Sequence, residues 1–268
     1  MICLEMKPPV NHEYYGLITG LPDLTLQKPD LAGTGNIWAQ YGHLLTSHDQ
    51  LLLQLAYLPV DHKLVLRSFF EQPVSETDQL LACYDSSAHQ SYLQQNLKLF
   101  PYQDQMLFPD KESPRISLEA SWRIAWTTFV RQTNNRLLHE YTVLQEALFL
   151  IRIMLAEDNG DAIADVHRLS GVEEPNISWP DYHRRILEAT GISGQIMRLM
   201  TIRHPEELEW EADNLAWNWL EEQLFQKEFR IDRLLAYAWQ QQLIARWSRI
   251  RNADAKVPVF DIDVNTYV

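Results

Sequence analysis

The series Trp122, Trp126, Phe129, Leu137, Tyr141, Leu144, Leu148, Ile151 and Leu155 most narrows what this chain can fold into. Apart from one gap, its members fall three or four residues apart, the spacing that lines one face of an α-helix. A strand sends successive side chains to opposite faces and could not gather them on one side. The pattern predicts a long amphipathic helix over 117–157, capped by Ser117 and ended by Asp158-Asn159-Gly160. The gap at Thr133-Asn134-Asn135 predicts a kink or short break. Unbroken, the helix would be roughly 60 Å long, whereas a compact chain of this size is about 50 Å across. The sequence therefore predicts a mainly α fold, an elongated multi-helix bundle with one long helix.

The rest of the chain agrees in kind. "SHDQLLLQLAYL" has leucines on one face and Ser47 as a candidate N-cap. Pro59, Gln72-Pro73 and Asp85-Ser86-Ser87 read as breaks between short helices. Residues 101–114 read as a loop. Pro205 opens a strong helix with glutamates in its first turn, and the next ends in Arg246, Arg249 and Arg251, each suiting its end of the helix dipole. The tail "KVPVFDIDV" alternates apolar and acidic residues, so a short β ribbon from the terminal segments is predicted. Residues 1–13 read as a loose extension. Residues 14–268 read as one elongated helical domain with lobes over 14–110 and 115–255. "YYGLITGLPDL", Tyr14 to Leu24, stands apart: its glycines and β-branched residues lean it towards an extended conformation.

A formal net charge of −13 argues against general nucleic-acid binding and against docking on anionic lipid by charge. The two cysteines, Cys3 and Cys83, have no metal-ligand spacing, which suits a reducing compartment. The most apolar segment, "ALFLIRIMLA", is about half the length a bilayer needs and carries Arg152 in its middle. The N-terminus lacks a signal-peptide pattern, so a cytoplasmic protein is predicted.

Motifs for chemistry fail one by one. His139-Glu140 is followed by Val143 where a second zinc-binding histidine would stand. No Glu-x-x-His pair of the bundle di-iron kind occurs. "GTGN", Gly33 to Asn36, lacks the lysine of a phosphate loop and reads as a turn. The sequence predicts no catalytic, cofactor-binding or metal-binding residues. Of nine tryptophans, Trp210, Trp217, Trp219, Trp239 and Trp247 lie in the last two helices. Core packing accounts for them, and Arg246, Trp247 and Arg249 form the best candidate interface group. The arginines can also pair with carboxylates on neighbouring helices while the tryptophan packs inward.

Three blocks in order carry a resemblance. They are "YYGLITGLPDL", "LLTSHDQLLLQLAYLPVDHKLVL" with its Leu-Ser/Thr-x-x-Asp helix start and Asp61, and "FRIDRLLAYAWQQQLIARW". Together they resemble a bacterial family, the domain of unknown function 2764, and mark Tyr14, Tyr15, Leu21, Pro22 and Asp61 as family-motif packing residues. The family is associated with V-type ATPase genes. It is distantly similar to the C-type connector of those complexes, the helical cap between central stalk and membrane ring. The resemblance implies a non-catalytic subunit or assembly factor, partnered by stalk or ring subunits and peripheral to the inner membrane through them. The alternative is a stand-alone helical binding protein with a tryptophan-lined pocket.

Overall fold

The computed structural model describes residues 13–27, 36–69, 126, 129–130, 132–156, 188, 191–225 and 229–252. These form seven bounded α-helices and one 3-10 turn, with no strand among the described residues. The helices are α1 (Tyr15–Ile18), α2 (Ile37–Tyr41), α3 (Ser47–Phe69), α4 (Arg136–Ala156), α5 (Ser193–Leu199), α6 (Pro205–Leu224) and α7 (Ile231–Asn252). The mainly α expectation holds. The terminal β ribbon, Ser117, the break residues 72–73 and 85–87, and Gly33 to Gly35 lie outside the described residues.

The predicted long helix is interrupted where its apolar period lapses. Trp126, Phe129, Val130 and Gln132 are helical, Thr133 to Asn135 are not, and α4 starts at Arg136. Asn135 is the cause. Its Oδ1 accepts from the Leu138 backbone N–H at 2.8 Å, which starts a new helix, and its Nδ2 donates to Asp232 of α7 at 3.1 Å. His139 Nε2 donates to the Thr133 carbonyl at 2.9 Å, closing the break from the other side. The apolar series turns inward as its spacing requires: Trp126, Leu137, Tyr141, Leu144, Leu148 and Ile151 are all buried.

Two expectations are corrected in α3. Pro59 does not break it; the helix runs through from Ser47 to Phe69. A mid-helix proline leaves the carbonyl four residues earlier without its N–H donor. Here that carbonyl belongs to Leu55, and Trp126 Nε1–H donates to it at 3.1 Å. The next carbonyl, of Ala56, receives Gln242 Nε2 of α7 at 3.2 Å. Trp126 thus supplies the one donor that the proline removes, and Gln242 adds a contact from α7 at the next carbonyl. The N-cap is Thr46 rather than Ser47, since Asp49 N–H donates to Thr46 Oγ1 at 3.2 Å.

The segment from Tyr14 is also corrected. Tyr15–Ile18 is a helical turn, with the Tyr14 carbonyl accepting from Ile18 N–H at 2.9 Å. Neither Gly16 nor Gly20 takes a positive φ; among the described glycines only Gly191 does. The segment is a strap. Tyr14 N–H donates to the Phe229 carbonyl at 2.7 Å, before α7 begins, and Arg251 at the end of α7 donates to the Gln27 carbonyl at 3.1 Å.

α3 packs along α7, and α4 and α6 pack against each other and against α7. One apolar cluster results, drawing on Leu26, Leu52, Tyr57, Leu144, Ala216, Leu220, Leu234 and Trp239. No helix among the described residues is long and apolar enough to cross a membrane.

Candidate functional site

A buried polar network lies inside the helical packing of the described residues. α4 contributes Arg152, the only charged residue of "ALFLIRIMLA". α6 contributes Glu209 and Asp213, four apart and so on one face, beside the small buried residues Ala212 and Ala216. α7 contributes Arg246 and Trp247. The small alanines let the helices approach closely enough for short side chains to span them.

Arg152 Nε donates to Glu209 Oε2 at 2.9 Å and its Nη2 to Asp213 Oδ1 at 3.0 Å. Arg246 Nη1 donates to Asp213 Oδ2 at 2.5 Å, and Nη2 donates to the same Glu209 oxygen that Arg152 uses. Trp247 Nε1–H adds a donor to Asp213 Oδ2 at 2.9 Å. The carboxylate side chains are only 2% and 3% exposed and the two guanidiniums 14% and 17%, so this is an internal network. Two cations meet two anions, the balance that buried charge requires.

Aromatic rings close around it. Trp210 meets Trp247 edge-on at 4.9 Å, and Arg251 lies over the Trp210 ring at 5.8 Å. Tyr141 stacks on Trp239 at 3.9 Å, with Trp219 at 6.2 Å. Burial, reinforced by Asp213 and opposed by Arg152, raises the Tyr141 hydroxyl well above its usual range, so it stays neutral. Both Asp213 oxygens are filled with donors from the chain itself. The arrangement is suited to fixing α4, α6 and α7 against one another.

The candidate interface group divides. Arg246 and Trp247 belong to this network, and Arg249 is half-buried in the last turns of α7. Among the family-motif residues, Tyr14 donates its hydroxyl to Asp49 and accepts Thr46 N–H at 3.3 Å. Thr46 Oγ1 also donates to Asp49 at 2.9 Å, so the tyrosine is inserted into the capping box that starts α3. Burial, then the Asp49 carboxylate, pushes the Tyr14 hydroxyl above its usual value and keeps it a donor. Tyr15 meets Phe229 with the rings tilted and 4.7 Å apart, Leu21 packs partly against the core, Pro22 is exposed and Asp61 is buried within α3. His139 and Glu140 serve the helix start: Glu140 pairs with Arg136 at 2.7 Å.

Sequence reasoning missed Arg152, Glu209 and Asp213. The signal was present: a lone arginine in an apolar helix needs a buried counter-charge, and Glu209 and Asp213 share the apolar face of α6.

The described residues form a mainly α fold in which buried charges pair across three helices. Residues 194–256 match the family described as Protein of unknown function (DUF2764). That span contains α6 and α7 and nearly all of α5, hence Glu209, Asp213, Arg246 and Trp247, and the third of the three sequence blocks; Arg152 lies outside it. No curated protein and no solved structure matches the chain.

Proposed function

We propose that this chain is a non-catalytic subunit or assembly factor of a bacterial V-type ATPase, of the C-type connector kind that joins central stalk to membrane ring. The observation that carries the reading is where the family-matched segment uses its charges. Glu209, Asp213 and Arg246 are turned inward to lock helices together, which suits a rigid spacer. The ordered blocks that resemble the ATPase-associated family supply the partner: stalk or ring subunits, with the protein held at the inner membrane through them.

The test is affinity purification of the tagged chain from its native cells, together with deletion of its gene. Stoichiometric recovery of V-type ATPase subunits, and loss of assembled complex in the deletion strain, are expected. Purification without any such subunit, with ATPase assembly intact in the deletion strain, would overturn the proposal.

A further inference from the structure

α6 carries seven carboxylates and neither lysine nor arginine. Glu209 and Asp213 face the internal network, and Glu221 meets Arg233 at 3.5 Å and also accepts from Gln240. Glu206, Glu207, Glu211 and Glu222 have no ionic partner among the described residues. Glu207, Glu211, Asn214, Asn218 and Glu222 follow one another at steps of three or four, so they form one line along the outward face of the helix. The next step of three reaches Phe225, which is 78% exposed at the C-cap.

That line ends at a second exposed feature. Four residues on in the sequence, the half-buried Phe229 meets Tyr15, itself 62% exposed, with the rings tilted and 4.7 Å apart, and Tyr14 N–H donates to the Phe229 carbonyl at 2.7 Å. A single exposed aromatic is ordinary, whereas several grouped at one end of a helix mark a contact surface.

We propose that the outward face of α6 and the aromatic end formed by Tyr15, Phe225 and Phe229 together dock a basic amphipathic helix of a partner protein. The inference rests on reading the chain as an interaction protein and adds the surface and the partner's chemistry. Charge complementarity selects the occupant. Lysines or arginines at helical spacing on the partner would meet the acidic line, and an apolar side chain at its end would pack on the aromatics. A second copy of the chain would bring the same carboxylates face to face and be repelled, and nucleic acid is excluded for the same reason.

The experiment uses the full chain and two fluorescein-labelled helical peptides of about 18 residues, long enough to cover about 27 Å of α6. One places lysines, the other glutamates, on the polar face of a leucine-lined helix; anisotropy is read at low and moderate salt. The lysine peptide is expected to bind, more weakly as salt rises. Phe225→Ser should weaken it about tenfold or more, as loss of an aromatic anchor does. The triple variant Glu207→Gln/Glu211→Gln/Glu222→Gln should weaken it and flatten the salt dependence. All the substituted side chains are at least partly exposed, so circular dichroism of both variants should match the parent, and the triple variant decides the matter if Phe225→Ser alters the fold. Equal binding of the glutamate peptide, or unchanged binding by the triple variant, would overturn the proposal. So would self-association that Phe225→Ser abolishes, measured by sedimentation. Site-dependent peptide binding without ATPase co-purification overturns the ATPase reading alone; co-purification with no site-dependent peptide binding overturns this surface alone.

Discussion

Asp213 holds three donors at once, from Arg152, Arg246 and Trp247. Removing the carboxylate strands two guanidiniums, with only Glu209 left between them, and one indole N–H. Asp213→Ala is therefore expected to lower unfolding free energy by about 3–5 kcal/mol, the usual cost of breaking one side of a buried ion pair. Urea denaturation checks it; a loss under about 1 kcal/mol would mean the network contributes nothing beyond packing. Tyr237 presents the opposite case. Its hydroxyl is buried and has no hydrogen-bond partner among the described residues, so Tyr237→Phe should be neutral or stabilising by up to about 1 kcal/mol. Burial first, then Tyr41 and Asp23, pushes its pKa from 10.0 to about 12. Below pH 10 both folded and unfolded states keep the proton. Between the two values the unfolded state loses it first, so stability falls as pH rises through that window. The phenylalanine variant should lose less stability than the parent over the same alkaline range, and an identical pH slope for both would contradict this.

Element boundaries show what local sequence can and cannot reveal. The three-four spacing in α4 is a property of the helix itself, and so it was legible, as was the break at Thr133 to Asn135. Pro59 was misread because its effect depends on residues far away. Trp126 and Gln242 supply donors to Leu55 and Ala56, and neither partner is visible from the residues around the proline. The strap at Tyr14 was misread as extended for a similar reason, since Asp49, Thr46 and Phe229 fix its place from other segments. Of the buried network, Arg246 and Trp247 were legible as a group, with pairing to carboxylates on neighbouring helices open to the arginine, whereas Arg152, Glu209 and Asp213 were not, because their partners lie on other helices. A double-mutant cycle tests the account of Pro59. Trp126→Phe should cost about 1–3 kcal/mol in the parent, because the Leu55 carbonyl is left buried without a donor. In a Pro59→Ala background the restored N–H can take that carbonyl, and the same substitution should cost measurably less. Equal costs in both backgrounds would show that the indole and the proline act independently.

At the scale of the whole molecule, the two lobes expected over 14–110 and 115–255 share one apolar cluster. Leu26, Leu52, Leu53 and Tyr57 come from the first, and Leu144, Leu234 and Trp239 from the second. α3 packs along α7, and the two are tied by polar contacts as well: Tyr57 donates to Gln241 at 3.3 Å and Gln242 to the Ala56 carbonyl at 3.2 Å. Among the described residues, each lobe buries these side chains partly against the other. Separating them would expose the inner faces of α3 and α7 and leave the Leu55 and Ala56 carbonyls without the indole and amide that serve them. Urea unfolding of the intact chain, followed by tryptophan fluorescence and by far-ultraviolet circular dichroism, should therefore trace one coincident transition, as expected where a single core cooperates. Residues 14–110 and 115–255, produced separately, should each lack a cooperative transition, and mixing them should restore one. A fragment that unfolds cooperatively alone, with the midpoint it has in the intact protein, would show that the shared cluster does not couple the lobes.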